Sequence, residues 1–311
     1  MAITSKFNRM KCQCRKILGA IFSRLFFVLH GTIMVGVAVA FTGDITYLIL
    51  LSGIVLLFIE MIVTLKMTRH GEWKWFSPMV FLYLCSIIPS IFVMELKSLE
   101  FRKNITNLTN SECKESDYKE LSTVIQCVEE LTILVLILGR WMMPRGNMSR
   151  DQLAQLLLIY LALGADILDI LELMKEPSIK TNTAVIVVGL CLFTLAVLQF
   201  TIVLTQTSSY SPPEREDTKQ SWSSSEVKNC ILHCCSSDVT QMMTSVVMQD
   251  GPFLIYRLYL VTREDVFNES MLFFICKNIL AVIIQVYRAV VFICDENKKR
   301  KKLKQAHVNL E

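Results

Sequence analysis

Long apolar runs with almost no charge constrain this chain more than any other feature of its sequence. An α-helix needs about 20 consecutive apolar residues to cross a lipid bilayer. Five runs approach or exceed that length: Ile17–Phe41, Ile45–Leu65, Phe76–Leu96, Thr183–Leu204 and Met271–Ile293. Three more polar segments complete the series: Leu121–Met143, Leu153–Met174 and Val239–Val261. The pattern therefore predicts an all-α fold, that of a polytopic membrane protein with about eight transmembrane helices.

The composition agrees with a membrane location. Of the 311 residues, 53% are hydrophobic and only 19% are charged, whereas soluble domains usually carry more charge. Outside the apolar runs, too few residues remain to build a soluble core of useful size. We therefore expect the lipid bilayer to be the main partner of this chain, and we expect no binding to nucleic acid.

The positions of the basic residues predict the orientation. Lys and Arg resist translocation and accumulate in short cytosolic segments. When the segments between the eight predicted helices are assigned alternately to the two sides, most of the 32 Lys and Arg residues fall on one side. That side includes both ends of the chain, so the N-terminus and the C-terminus are predicted to be cytosolic. We expect the protein in a membrane of the secretory pathway, at the plasma membrane.

This topology divides the chain into five parts. They are a basic cytosolic N-terminus (1–16), helices one to six (17–205) with a glycosylated outer loop at about 97–120, a flexible, serine-rich cytosolic linker (206–238), helices seven and eight (239–294) and a polybasic cytosolic tail (295–311). The Lys298–Lys304 run in the tail has two interpretations. It attracts anionic inner-leaflet lipid, at about 1 kcal/mol per charge, or it serves only as a topology determinant.

Glycosylation sequons test the orientation without reference to charge. Asn104, Asn107 and Asn268 begin sequons in segments assigned outside, although Asn268 lies close to the predicted membrane boundary; Asn147 begins one assigned to the cytosol. We expect glycans on Asn104 or Asn107 and none on Asn147. Endoglycosidase treatment should shift the wild-type protein on a gel, and the shift should shrink when Asn104 and Asn107 are both replaced by Gln. A shift that survives this double substitution but disappears with Asn147→Gln would overturn the topology.

The eleven cysteines are scattered over three environments and do not form a disulfide framework. Cys113 and Cys127 are assigned to the outer side, where they either form a disulfide or remain two thiols. The cluster of Cys230, His233 and Cys234 fits the usual ligand spacing of structural zinc poorly, so no metal site is predicted. The chain also lacks the HExxH, GxSxG and P-loop motifs, and we predict neither enzymatic activity nor a cofactor.

Polar groups inside the predicted helices are the candidate functional residues, because an unpaired charge near the bilayer centre costs about 2.5–3.5 kcal/mol. Asp166 and Asp169 lie on one stripe of the fifth helix, and Lys277 and Arg288 lie on one face of the eighth. Their opposite signs predict pairing across a helix interface. Arg24 is expected to extend its head group to the membrane surface. Structural pairing and a solvated pathway both remain open for these charges.

The seventh helix contains an irregular segment around Asp250, Gly251 and Pro252. Proline removes a backbone donor and glycine loosens the turn, so we expect the helix to kink or break at Gly251 and Pro252. Asp250 would then cap the second half-helix, with Arg257 on nearly the same face. A broken helix that carries a buried acid is typical of the midplane site of transporters.

A series of short sequence blocks, in a fixed order along the chain, carries a family resemblance. The blocks are Lys74–Pro78, Gly139–Pro144, Arg150–Leu153, Ala165–Asp169, Gln249–Leu254, Lys277-Asn278 and Gln285–Arg288. They resemble the transmembrane protein 26 family from the first helix to the eighth, with Asp169 where relatives are expected to carry Glu. The resemblance implies an eight-helix membrane protein and brings no reaction, ligand or catalytic residue. A looser similarity, to the XK-related lipid scramblases, is one of fold alone.

These observations lead to two expectations for function. The first is a multi-pass membrane protein with a non-enzymatic structural, scaffolding or receptor-like role. The alternative is a transporter, channel or lipid scramblase with a polar track along helices five, seven and eight. The candidate residues of that track are Asp166, Asp169, Asp250, Arg257, Lys277 and Arg288.

Overall fold

A computed structural model describes the backbone at residues 2–67, 76–107, 112–143, 150–202 and 244–308. Within these ranges it contains eight α-helices and no strand, which confirms the predicted all-α class. The chain divides into two compact units, Met1–Thr207 and Ser208–Glu311. The predicted linker at 206–238 lies outside the described residues.

The described residues of the first unit form six α-helices. They are α1 (Ala2–Thr42), α2 (Leu51–Met67), α3 (Pro78–Asn107), α4 (Glu112–Met142), α5 (Arg150–Leu173) and α6 (Thr183–Ile202). The helices α1 and α3 lie at its centre: α1 packs against α2, α3 and α4, while α3 also contacts α2, α4 and α6. At Gly53 in α2 the helix backbones come so close that a Cβ atom would lie 3.2 Å from the Leu82 carbonyl oxygen of α3. Such small residues at helix interfaces are typical of membrane bundles.

A short 3₁₀-helix, Ile45–Leu50, connects α1 to α2. It begins after Gly43, whose positive φ of 70° suits a residue without a Cβ. Asp44 caps it, because the Thr46 backbone amide and hydroxyl donate to Asp44 Oδ1 at 3.0 Å and 2.7 Å. These hydrogen bonds, led by the one from the Thr46 side chain, lower the pKa of the Asp44 carboxyl.

Residues 244–308 of the second unit form a helical hairpin. A π-helical turn, Val246–Asp250, leads into α7 (Gly251–Arg263), and the connection after α7 leads into α8 (Glu269–Val308). Both the π turn and α7 pack against α8. Asp265 adopts a positive φ of 51° in the connection. Asn268 Oδ1 accepts a hydrogen bond from the Met271 amide at 2.8 Å, which caps the start of α8.

In the part of the chain that the structure describes, six helices are long and apolar enough to cross a membrane. The spans are Ile17–Thr42, Ile45–Met67, Pro78–Asn104, Ser122–Met142, Thr183–Ile202 and Glu269–Cys294. Among the described residues, α5 is not one of these six spans, and α7 has only 13 residues. Only 11% of the most apolar stretch of α8 is buried, so most of its side chains are suited to contact lipid. The protein is therefore an integral, polytopic membrane protein.

Several helices continue beyond the segments predicted from hydropathy. The helix α3 extends to Asn107 and α4 begins at Glu112, so much of the predicted outer loop at about 97–120 is helical. Likewise, α8 continues through most of the tail and has 40 residues, or about 60 Å at 1.5 Å per residue. Hydropathy marks only the part of a helix that lies in hydrocarbon, whereas backbone hydrogen bonds continue the same helix into water.

Candidate functional site

The first unit buries an ion pair between α1 and α2. Arg24 donates from Nε to Glu60 Oε2 and from Nη2 to Glu60 Oε1, at 2.9 Å in each case. Thr64 Oγ1 donates to Glu60 Oε1 at 2.6 Å, and Arg24 Nη1 donates to the Ala20 carbonyl at 3.1 Å. Only 6% of the Arg24 side chain and 7% of the Glu60 side chain are exposed. This bidentate geometry is among the strongest arrangements of Arg and carboxylate.

The pair corrects the expectation that Arg24 extends its head group to the membrane surface. A carboxylate within reach stabilises the guanidinium inside the bundle, so the side chain has no need to travel to water. Arg24 and Glu60 are each the single formal charge in the apolar part of their helix. A single basic residue in one apolar helix and a single acidic residue in the next could therefore have predicted this ion pair. Sequence reasoning missed that signal.

A second group of charges lies where α3, α4 and the end of α5 meet. We call Glu95, Arg102, Glu129 and Lys175 the four-charge cluster. Arg102 Nη2 donates to Glu95 Oε2 at 3.4 Å, and Lys175 Nζ donates to Glu129 Oε2 at 3.3 Å. Glu129 is fully buried and Glu95 almost so. Sequence reasoning missed this cluster too, although Glu95 and Glu129 interrupt otherwise apolar runs.

In the second unit, neighbouring side chains donate hydrogen bonds to Asp250. Its side chain is buried, and Asp250 Oδ2 accepts hydrogen bonds from Gln285 Nε2 at 3.1 Å and from Ser245 Oγ at 3.3 Å. The first of these bonds joins the π turn to α8. The predicted capping role is wrong, because the Asp250 carboxylate makes no capping bond and its backbone is helical, with φ −58° and ψ −45°.

Of the kink or break expected at Gly251 and Pro252, the break is absent, and a widened turn takes its place. The Gly251 amide donates to the Val246 carbonyl, five residues back rather than four. Pro252 has no amide hydrogen to offer the Met248 carbonyl, and its ring crowds that position. A π turn relieves this crowding with one wider hydrogen bond. The sequence therefore located the irregularity correctly but not its form.

Arg257 is fully buried between aromatic rings. Its guanidinium carbon lies 4.9 Å from the centroid of the Phe274 ring and 5.6 Å from that of Phe253. Lys277 Nζ approaches the same Phe274 ring at 5.5 Å. Cation–π attraction of this kind strengthens when the cation is removed from water. Phe274, which sequence reasoning did not single out, thus connects two of the predicted polar residues.

The remaining polar candidates lie in different surroundings. Asp166 and Asp169 are buried in α5, and each makes an interaction there, whereas Arg288 is exposed on α8. The α5 acids belong to the first unit and the α8 bases to the second, so their pairing stays a prediction. Among the described residues, no cluster of three His, Cys, Asp or Glu side chains is placed to bind a metal ion.

Of the two alternatives for Cys113 and Cys127, the disulfide does not fit the structure. Cys113 and Cys127 lie in the same helix, α4, and their spacing corresponds to about 21 Å along the helix axis. A disulfide requires Cα atoms within about 7 Å, and Cys127 is a free, exposed thiol. The Cys230 to Cys235 segment lies outside the described residues.

The sequon asparagines also have distinct positions. Asn104 is exposed near the end of α3, and Asn107 is the last residue of that helix. Asn268 caps α8 through its side-chain oxygen. Asn147 falls outside the described residues, and the glycosylation pattern stays a prediction.

Comparison with known proteins adds one decisive observation. The sequence pattern described as transmembrane protein 26 matches residues 15–288. The chain belongs to the transmembrane protein 26 family. The match covers helices of both units and ends within α8, so the polybasic tail lies outside the shared region. No solved structure matches this family member.

Proposed function

We propose that this member of the transmembrane protein 26 family is a non-enzymatic membrane protein with a structural or scaffolding role. In this role, its buried charges hold helices together. The observation that carries the proposal is the state of Asp250, the acid whose setting most resembled a transport site. Its carboxylate is engaged by Gln285 and Ser245, and the bond from Gln285 joins the π turn to α8 within one unit.

The charges of the first unit support the same function. The Arg24–Glu60 pair joins α1 to α2, and the Lys175–Glu129 pair joins the end of α5 to α4. A buried ion that loses its partner is costly, so each pair favours one relative placement of its two elements. Charges used in this way fix the arrangement of a bundle and need no substrate.

We further propose that the protein acts at the plasma membrane after passage through the secretory pathway. The support is the distribution of basic residues and the exposed sequon at Asn104. A receptor-like role would use the same outward surface, where glycans on Asn104 or Asn107 would lie.

One observation favours the alternative function of transporter, channel or scramblase. Asn278 in α8 is 1% exposed, and neither its Oδ1 nor its Nδ2 atom has a hydrogen-bond partner among the described residues. A buried amide without partners is unfavourable in hydrocarbon. Water or a polar substrate moving past α8 would satisfy it. Transport activity is therefore the outcome against which the structural role is tested.

The substitution Asp250→Asn separates the two functions. If Asp250 holds the hairpin together, the neutral variant should lower the yield of folded protein and its delivery to the cell surface. If Asp250 serves transport, the variant should fold and traffic normally but lose a flux that the wild type shows. The measurements are surface labelling in cells, and ion and lipid-probe movement in liposomes that contain the purified protein.

Asp265→Asn is a matched control for this experiment. Asp265 lies in the same unit, is exposed, and has a positive φ that Asn also tolerates. Its variant should behave like the wild type in every assay. A normally delivered Asp250→Asn protein that has lost a wild-type flux would refute the structural role.

A further inference from the structure

A small cleft opens in the first unit where the ends of three membrane spans meet. Its lining includes Ser77 and Val80 at the start of α3, Leu136 and Arg140 in α4, Tyr160 in α5 and Phe200 in α6. The α3 span begins at Pro78, the α4 span ends at Met142 and the α6 span ends at Ile202. Lipid headgroups occupy the level at which membrane spans end. The charge distribution assigns this end of the bundle to the cytosol.

Ser77 contributes an unused donor to the cleft. The residue is only 4% exposed. Its backbone is satisfied, since its amide donates to the Thr201 carbonyl and its carbonyl accepts from the Phe81 amide, both at 3.1 Å. Its hydroxyl, however, has no hydrogen-bond partner among the residues that the structure describes. A hydroxyl that lines a cleft without a partner inside the protein can donate to a polar atom that enters the cleft.

The start of α3 makes the same place favourable for negative charge. The first amides of a helix lack acceptors within the helix, and Val80 lies in this first turn and lines the cleft. The aligned peptide dipoles add the equivalent of about half a positive charge at this end. Helix N-termini bind phosphate and other anions for these two reasons.

Arg140 supplies the formal positive charge. Its side chain is almost fully buried and lines the cleft, and its Nη1 donates to Met143 Sδ at 3.4 Å. A guanidinium carries five N–H donors, so it can keep its present contacts and also bind an incoming oxygen. No Asp or Glu is among the described residues that line the cleft. Among the described residues, the lining therefore combines one cation, one hydroxyl and a helix N-terminus.

We propose that this cleft binds a phosphate group, which enters by one of its oxygens. The cleft has room for about one water molecule, so the rest of the phosphate stays at its mouth. The group comes from a phospholipid headgroup of the adjoining leaflet or from a soluble phosphate compound. Binding of this kind goes beyond the structural role proposed above and does not depend on it.

The test uses the full chain, purified in detergent and stripped of lipid. The two probes are short-chain phosphatidic acid and the matching diacylglycerol, which differ only in the phosphate group. Native mass spectrometry reports how much of each probe the protein retains. We expect selective retention of phosphatidic acid and a drop of about tenfold in Ser77→Ala, which removes one hydrogen bond to a charged group. Arg140→Gln should lower retention further.

Two controls keep this result interpretable. Arg150→Gln removes an exposed charge from the same end of the bundle, and Ser52→Ala removes an exposed hydroxyl from α2; both should leave retention unchanged. Ser77→Ala removes a single oxygen and should fold even if Arg140→Gln does not, which a melting curve would verify.

Inorganic phosphate that displaces the lipid would identify a soluble compound as the source, and failure to displace it would identify the headgroup. Equal retention of both probes, or unchanged retention in Ser77→Ala, would overturn the proposal.

Discussion

Replacing Glu60 with Leu is expected to lower the free energy of unfolding by about 3–5 kcal/mol, because it leaves the buried Arg24 guanidinium without its counter-charge. Arg24 makes two hydrogen bonds of 2.9 Å to this carboxylate and is nearly inaccessible to solvent. Reversible unfolding in detergent micelles, followed by circular dichroism, measures the loss. We also expect less protein at the cell surface, since a loss of this size approaches the total stability of many domains.

A double substitution and a surface control sharpen this prediction. Arg24→Leu together with Glu60→Leu should recover most of the stability, because an apolar pair replaces a buried ion pair at little cost. Glu100→Leu removes the acid from an exposed pair with Lys97, whose atoms lie 3.1 Å apart, and should cost less than about 1 kcal/mol. If Glu60→Leu and Glu100→Leu lowered the free energy of unfolding equally, the buried pair would stabilise the fold no more than the exposed pair does.

Replacing Gly251 with Ala is expected to destabilise the second unit by about 1–3 kcal/mol, the usual cost of forcing an extra methyl group into a packed site. In the π turn, a Cβ atom on Gly251 would lie 2.8 Å from the Val246 carbonyl oxygen. That oxygen is part of the backbone and accepts the hydrogen bond that defines the turn. Thermal unfolding in detergent would reveal the loss as a lower melting temperature.

Gly36→Ala is the control for this substitution, and it should not lower the melting temperature. Gly36 lies in α1 with nothing within 4 Å of its Cβ position, and Ala is favoured over Gly in a helix by about 1 kcal/mol. Gly36→Ala should therefore be neutral or stabilising. Pro252→Ala restores an amide at the π turn, so it should relieve part of the damage in the Gly251→Ala background. A stabilised Gly251→Ala single variant would contradict the role assigned to the widened turn.

The first prediction rests on a general property of a protein in lipid. Hydrocarbon offers no hydrogen bonds, so each polar group must find its partner within the protein. Glu60 meets this requirement through Arg24 and Thr64, and Asp250 meets it through Gln285 and Ser245. Substitutions that remove the partner of a buried polar group are expected to lower the free energy of unfolding far more than changes at exposed positions.

Sequence analysis located most of the candidate site but not its contacts. It selected Asp250, Arg257 and Lys277 because charges are rare in apolar helices, and it placed the irregular turn at Gly251. It did not predict that Gln285 binds Asp250 or that Phe274 lies beside two cations. Those contacts depend on how α7 and α8 are rotated against each other, which no local pattern specifies.

The sequence by itself determined the lipid surroundings and the class of fold, because hydrophobicity is a property of each segment alone. The family, too, was recognisable from ordered local blocks such as Gln249–Leu254. Only the tertiary structure decided the partners of the charges. Arg24 and Glu60 lie in different helices, and Glu129 and Lys175 are far apart in the chain. Such pairs form when packing brings two helix faces together, so the choice of partner is a property of the bundle and not of either helix.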